Sequence, residues 1–175
     1  MQLVPTAALL ALSLAGVLPA QAMELTSSDF ASGAQIAPAQ IYPRCGGQNI
    51  SPQLAWRGAP AQTKSFVLTM IDSDVTPSQW SHWIVVDLPP TTAALARGAT
   101  VLPGHAKAIE SNFGDPYYDG PCPPTGSGVH HYRITIWAMP SSATAIARDA
   151  KASEVAAMLG QRALASASRT GWVAR

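Results

Sequence analysis

The stretch DGPCPPTGSGVHHYRITIW, residues 119–137, carries the clearest structural signal in this chain of 175 residues. Its first half combines three prolines with glycines and a cysteine. These residues make a rigid, shaped loop, because proline fixes φ and glycine permits positive φ. The residues from His130 onward then alternate between two faces, as they do in a β-strand. A stiff loop that leads titratable side chains onto a sheet edge is typical of a small-molecule site, and equally of a structural corner.

Two more β-strands are predicted upstream. The run from Lys64 to Asp72 is mostly apolar and ends in an acid, and a second run opens at His82 and ends before the Pro89-Pro90 pair. Alternation places His82 on the same face as Ile84 and Val86. If the two strands are antiparallel neighbours, Asp72 and His82 lie at the same end of the sheet, where His130 could join them.

The remaining segments are predicted from local pattern. The segment from Thr91 to Phe113 has mixed composition and is predicted to be loop with short turns. From Ala152 to Ser168 the chain is alanine-rich, with apolar residues at helical spacing. This pattern predicts one C-terminal amphipathic helix packed on the sheet.

Residues 1–22 are predicted to form a cleavable secretory signal peptide. An apolar run at 7–18 is too short to span a bilayer and is followed by the A-x-A pattern of Ala20 to Ala22. The first residues contain no Lys or Arg, so a membrane anchor or a cytosolic start stays open. The expected protein is a single domain, residues 23–175, located in the periplasm or secreted.

The composition limits the class of protein. The net charge is +1 with 12% charged residues and no basic cluster, so there is no electrostatic footprint for a nucleic-acid partner. Fifteen prolines and thirteen glycines favour a loop-rich, largely β protein, and 47% hydrophobic residues exclude a disordered chain. After the first residues, no apolar run is long enough for a transmembrane anchor.

The chain has two cysteines, Cys45 and Cys122. An even number of cysteines in an exported protein favours a disulfide. The alternative is a pair of free, partly buried thiols.

Four segments, in order, resemble the phosphatidylethanolamine-binding protein family in its bacterial Raf-kinase-inhibitor-like branch. They are YPRCGGQNISPQLAWRGAP (42–60), DSDVTPSQWSHWIVVDLP (72–89), GPCPPTGSGVHHYRITIWAM (120–139) and ASRTGWVAR (167–175). The resemblance implies a mainly β fold, namely an antiparallel β-sandwich with Greek-key connections and peripheral helices. It also implies a cavity at one end of the sandwich that binds small anions such as phosphate, phosphoethanolamine or a carboxylate.

The resemblance assigns the ligand-binding positions to Asp72, His82, Pro124, His130 and Tyr132. It places four further residues at the rim of the cavity: Asp74, Trp80, Pro121 and Cys122. The expected cavity is neutral and binds a phosphoryl oxygen without Arg or Lys, and protonation of either histidine adds a charge-assisted bond. Anion affinity is therefore expected to rise as the pH falls through about 6.5.

The chain departs from the family pattern at four positions: Gly46, Ser73, Pro77 and His131. His131 stands where the family has an Arg that can pair with the second acid, here Asp74. These departures leave the expected pocket residues in place but affect the shape of the rim. The side chain of His131 is expected to leave its strand on the face opposite to that of His130.

Other functions stay open at this point. Asp72 and His82 could belong to a hydrolase triad with Cys122 or Ser127 as the nucleophile, although no nucleophile motif is present and an enzyme is not expected. Asp72, His82 and His130 are a plausible zinc set, but their spacing matches no metal motif, and no cofactor is predicted. The family also includes inhibitors, so an extracytoplasmic protein partner is an alternative, and a homodimer is left open.

Overall fold

The computed structural model describes residues 22–147 and 149–175, so the segment 1–21, on which the signal-peptide prediction rests, lies outside it. The described residues contain eight β-strands, one α-helix and two short 3-10 turns at Pro38–Gln40 and Pro43–Cys45. The strands and the helix are β1 Glu24–Thr26, β2 Leu54–Arg57, β3 Ser65–Asp72, β4 Trp80–Leu88, β5 Ala94–Leu95, β6 Lys107–Ile109, β7 Val129–Met139, α1 Ala152–Arg162 and β8 Ala165–Ala174.

Two antiparallel sheets form a sandwich. The small sheet has the order β1-β2-β5 and the large sheet the order β6-β4-β3-β7-β8. Side chains such as Trp56 of the small sheet and Leu68 of the large sheet meet in the main core between them. On the other face of the large sheet, α1 packs through Val155 and Leu159. The predicted antiparallel β-sandwich with a peripheral helix is confirmed.

The central strand β3 is buried at all eight positions. It lies between β4 and β7 and has the main core on one face and the α1 core on the other. This double burial explains its almost uninterrupted apolar run, which alternation alone does not predict. The predicted antiparallel pairing of β3 with the next long strand, β4, is also confirmed.

The pairing of β3 with β4 contains an irregularity at His82. Ile71 pairs with Ser81, and Met70, one residue earlier, pairs with Trp83. His82 is therefore an extra residue on β4, which is the arrangement of a β-bulge.

This bulge overturns the predicted facing of His82. Regular alternation would place the side chain beside Ile84 and Val86, which belong to the core beneath α1. Instead, the His82 ring packs edge-on against Tyr132, whose side chain belongs to the main core, with 5.0 Å between the ring centroids. Bulges commonly redirect side chains beside functional sites, and here the bulge directs a histidine towards one end of the sandwich.

Two secondary-structure predictions were wrong. The helix α1 ends at Arg162 rather than at Ser168, and the residues from Ala165 form β8, which pairs with β7 from Ala138 back to Val129. The open edge of β7 gives these residues a ladder of backbone hydrogen bonds, which outweighs the helical preference of alanine. The segment 91–113, predicted as loop, contains β5 and β6, which extend the two sheets. Across residues 22–147 and 149–175, no helix has the length and apolar character needed to cross a membrane.

Candidate functional site

A cavity of about 360 Å³ lies where β3 ends and where β4 and β7 begin. It contains all five of the ligand-binding positions expected from the sequence, namely Asp72, His82, Pro124, His130 and Tyr132. Its other lining residues are Tyr42, Arg44, Val75, Trp80, Phe113, Cys122 and Pro123. The fold therefore gathers residues from five separate parts of the chain at one end of the sandwich.

A larger cavity, of about 570 Å³, has less to offer a polar ligand. The side chain of Asn49 lines it, but its amide donates to the carbonyl of Tyr118 and its oxygen accepts from the N–H of Gly120. The hydroxyl of Tyr118, another lining residue, donates to the carbonyl of Gln40. These polar groups are already satisfied within the protein, so the smaller cavity is the candidate site.

Asp72 and His130 form a buried pair in this cavity. The Nδ1 atom of His130 lies 2.7 Å from Oδ2 of Asp72, and the two residues are 8% and 3% exposed. The second carboxylate oxygen accepts a hydrogen bond of 3.0 Å from the backbone N–H of Asp74. Because a carboxylate only accepts, the proton of this contact lies on Nδ1, and Nε2 is the ring nitrogen left for a ligand.

His82 has a different partner and a different charge. Its Nδ1 donates to the backbone carbonyl of Asp119 at 2.8 Å. Burial lowers the pKa of His82 from 6.5 to about 4. The ring is therefore neutral at pH 5 to 8, with Nε2 as an acceptor, and the expectation that protonation of either histidine strengthens anion binding was wrong for His82.

The hydroxyl of Tyr132 is buried and makes no hydrogen bond with the described residues. Tyr132 lines the cavity, and its neighbour across the β3–β7 ladder is Asp72. Burial raises the pKa of Tyr132, and the negative charge of Asp72 and the approach of its carboxylate to the hydroxyl raise it further, although this approach lacks the geometry of a hydrogen bond. The phenol therefore keeps its proton at neutral pH and can donate it to a ligand, which would remove the cost of a buried unpaired polar group.

Arg44 contradicts the expectation of a cavity without Arg or Lys. It lies in the turn Pro43–Cys45, and its side chain lines the cavity. The predicted disulfide between Cys45 and Cys122 is present and joins this turn to the proline-rich loop across 77 residues of sequence. Because Arg44 precedes Cys45, the disulfide prediction itself could have indicated a cation near the cavity.

Phe113 was also missed by the sequence analysis. Its ring lies 5.0 Å from that of Tyr42, 5.3 Å from that of His82 and 5.9 Å from that of Trp80, measured between centroids. These rings make one wall of the cavity apolar. Phe113 stands at the end of a segment predicted to be loop and belongs to no motif that the analysis used.

The four predicted rim residues divide into two pairs. Trp80 and Cys122 line the cavity, whereas Asp74 and Pro121 do not. The Asp74 carboxylate accepts from the backbone N–H of His131 at 2.6 Å and lies 3.0 Å from its Nδ1. Burial acts to raise the pKa of Asp74, but the hydrogen bonds and charge of His131 outweigh it and lower the pKa. His131 thus takes over the pairing with the second acid, and it does not line the cavity.

The hydrolase and metal alternatives receive no support from the geometry. Asp72 contacts His130 rather than His82, and Cys122 is engaged in the disulfide. The Ser127 hydroxyl is exposed and donates to the carbonyl of Pro124. Within the described part of the chain, no three His, Cys, Asp or Glu side chains are grouped so that they could hold a metal ion.

Comparison with known proteins identifies the family to which this fold belongs. The family model described as phosphatidylethanolamine-binding protein matches residues 26–173. The UPF0098 protein YbcL of Escherichia coli is 35% identical to this chain, and the alignment covers 86% of this chain and 87% of YbcL. The UPF0098 protein YbhB of the same organism is 37% identical, and the alignment covers 85% of this chain and 98% of YbhB. The chain belongs to the phosphatidylethanolamine-binding protein family, and the resemblance in the four sequence segments is confirmed.

Solved structures agree with this assignment. The crystal structure of Escherichia coli YbcL, described as a new member of the mammalian PEBP family, superposes with a TM-score of 0.80 at 32% identity and covers 87% of this chain and 98% of its own. A PEBP homologue from Chlamydia trachomatis gives a TM-score of 0.73 at 30% identity, and the match covers 88% of this chain and 98% of the homologue. A Mycobacterium tuberculosis protein named as a lipoprotein, LppC, is 37% identical over 69% of this chain and 57% of its own length.

Proposed function

We propose that the cavity binds a small phosphate-bearing or carboxylate ligand, of the kind found in a phospholipid head group, and does not turn it over. The observation that carries this proposal is the Tyr132 hydroxyl, a buried donor without a partner in the described residues, in a cavity that Arg44 also lines. A buried donor and a guanidinium together suit an anionic oxygen. The name of the family supports the same class of ligand.

The polar groups of the cavity have complementary roles in this proposal. Tyr132 donates one hydrogen bond, and Arg44 supplies charge and donors at the wall. His82 presents an acceptor, which suits a protonated phosphoryl oxygen or an ammonium group. The carboxylate of Asp72 opposes a dianion, so we expect modest affinity and a preference for a ligand that carries one proton or a positive group.

Titration calorimetry at pH 7 tests the proposal, with inorganic phosphate, phosphoethanolamine and acetate as separate ligands. We expect binding by the wild type and a loss of about three- to tenfold in affinity for Arg44→Gln, because one charge-assisted contact is removed at an exposed residue. His131→Ala is the matched control and should bind as the wild type does, since His131 lies outside the cavity. Equal affinity of the wild type and Arg44→Gln would contradict the assignment of Arg44.

The absence of turnover is tested separately. Phosphorus NMR of the protein with phosphoethanolamine should show no release of inorganic phosphate over a day. Release that disappears in His130→Ala would contradict the binding-only proposal and would favour a hydrolase.

We also propose that the protein is exported. The short apolar run, the A-x-A pattern and the disulfide all suit an oxidising compartment, and the relative LppC is named as a lipoprotein. N-terminal sequencing of protein from its native compartment should begin at Met23. Soluble protein that retains Met1 would contradict export with cleavage after Ala22.

A further inference from the structure

The two sulfur atoms of the disulfide have different surroundings. Cys122 lines the cavity, whereas Cys45 does not. On the Cys45 side, Nη1 of Arg175 donates to Sγ at 2.8 Å. The disulfide therefore has one cysteine in the cavity wall, and the sulfur of the other lies beside a permanent positive charge.

The contact of Arg175 is held by the backbone. Its N–H donates to the carbonyl of Gly128 at 3.3 Å, and its carbonyl accepts from the N–H of Gly126 at 3.0 Å. These bonds extend the pairing of β7 and β8 by one residue beyond Ala174. The guanidinium is thus placed by the sheet rather than by side-chain packing alone.

We propose that Cys122 is a site of reversible S-thiolation by small monothiols that enter the cavity. A monothiolate attacks Sγ of Cys122 and forms a new S–S bond, while the bond between Cys122 and Cys45 breaks. The electron pair of the broken bond passes to Sγ of Cys45, which leaves as a thiolate beside Arg175. In the reverse step, the Cys45 thiolate attacks Sγ of Cys122 and expels the monothiol.

Two independent features give this exchange its direction. A thiol with a lowered pKa leaves faster in thiol–disulfide exchange, and a neighbouring arginine lowers that pKa. The attacking thiolate must also reach the attacked sulfur, and Cys122 is the cysteine that lines the cavity. Access and leaving-group stability therefore select the same attacked sulfur.

Opening the disulfide need not open the fold. The N–H of Tyr42 donates to the carbonyl of Pro121 at 3.1 Å, and the N–H of Gly120 donates to Oδ1 of Asn49 at 2.7 Å. These bonds hold the two loops together beside the disulfide. The adduct on Cys122 would occupy part of the cavity, so thiolation and ligand binding would exclude each other.

The test uses the oxidised full chain and 2-mercaptoethanol, a small monothiol whose only charge is that of the attacking thiolate. The reaction is stopped with N-ethylmaleimide, and the modified peptides are assigned by mass spectrometry. We expect mercaptoethanol on Cys122 and maleimide on Cys45. In Arg175→Gln the opening of the disulfide should slow by about threefold or more, because the pKa of the leaving Cys45 thiol rises by about one unit. Attack should also lose its preference for Cys122, so both cysteines should carry mercaptoethanol.

Arg57→Gln is the matched control, because it removes the same charge at an exposed residue of β2 that pairs with Glu24, does not contact the disulfide and does not line the cavity. It should open at the wild-type rate. Mercaptoethanol mainly on Cys45 of the wild type, an even distribution there, or equal rates for the wild type and Arg175→Gln would overturn the proposal.

A second measurement does not depend on trapping the mixed disulfide. In Cys122→Ser and Cys45→Ser, the rate of alkylation by iodoacetamide against pH reports the acidity of the remaining thiol. The thiol of Cys45 should titrate at lower pH than that of Cys122. Adding Arg175→Gln should raise the pH at which the Cys45 thiol titrates. A Cys45 thiol that does not respond to Arg175 would also overturn the proposal.

Discussion

Across the ladder between β3 and β7, the carboxylate of Asp72 and the imidazole of His130 meet with 2.7 Å between Oδ2 and Nδ1, and their side chains are 4% and 10% exposed. A pair this well buried makes each partner depend on the other, because either group left alone would be a buried polar or charged group without compensation. The pair of Asp74, two residues past the end of β3, and His131, the next residue of β7, is 40% and 49% exposed and offers a natural comparison.

His130→Ala is expected to lower the free energy of unfolding by about 3 kcal/mol, because it leaves the Asp72 carboxylate buried without its partner. His131→Ala should cost less than about 1 kcal/mol, since its pair is exposed. Urea denaturation at pH 7 measures both. Similar losses in the two variants would mean that burial does not make the Asp72–His130 pair more important for stability than the exposed pair. The double variant Asp72→Asn/His130→Ala should recover part of the loss seen in His130→Ala.

Tyr132→Phe is expected to separate stability from binding. The variant removes a buried hydroxyl without a partner in the described residues, so the free energy of unfolding should change by less than about 1 kcal/mol. The affinity for phosphate should fall about tenfold, because a hydrogen-bond donor to a charged oxygen is lost. Urea denaturation and calorimetry on the same preparation provide the two readouts. A large loss of stability with unchanged affinity would show that the hydroxyl serves the fold.

His82 makes stability depend on pH. Its pKa of about 4 in the folded protein lies below the ordinary value of 6.5, so the unfolded chain binds the proton more readily. The neutral His82 ring therefore contributes up to about 3 kcal/mol to the free energy of unfolding. This contribution is fully present above pH 6.5 and is lost as the pH falls towards 4. Denaturation curves at pH 4 to 7, for the wild type and for His82→Asn, measure it.

The comparison with His82→Asn is necessary because Asp119 acts in the opposite direction. Burial raises the pKa of Asp119 to about 6, so its contribution to stability is lost as the pH rises through that value. The asparagine amide can retain the hydrogen bond to the Asp119 carbonyl without titrating. We expect the stability difference between wild type and variant to shrink on acidification. A difference that stays constant from pH 7 to pH 4 would contradict the lowered pKa.

The disulfide is expected to be intramolecular and stabilising. Cys45 and Cys122 are 77 residues apart in sequence, and closing such a loop contributes about 4 kcal/mol by loop-closure entropy. The double variant Cys45→Ala/Cys122→Ala should lose about this much in urea denaturation. Denaturing alkylation without reductant should leave the wild-type mass unchanged, and the uptake of two alkyl groups would show free thiols instead.

Local sequence patterns were enough to predict the strands nearest the site, and the resemblance to the family supplied the identity of most site residues. The apolar run of β3 and the alternating run of β7 mark strands because each is long and bounded by turn residues. The two cysteines predicted the disulfide. The resemblance to the family assigned the five ligand-binding positions, from Asp72 to Tyr132. Strand-end positions alone predicted only that Asp72, His82 and His130 could meet at one edge of the sheet.

Long-range pairing set the features that these patterns missed. The bulge at His82 exists only in the register of β4 against β3, and it reverses the face that alternation assigns. The alanine-rich tail becomes β8 because β7 offers it an edge, and neither strand signals this alone. Arg44 reaches the cavity because a disulfide joins segments 77 residues apart. A local pattern records the propensity and burial of neighbouring residues, whereas the register and the gathering of distant segments depend on contacts that form only when the chain folds.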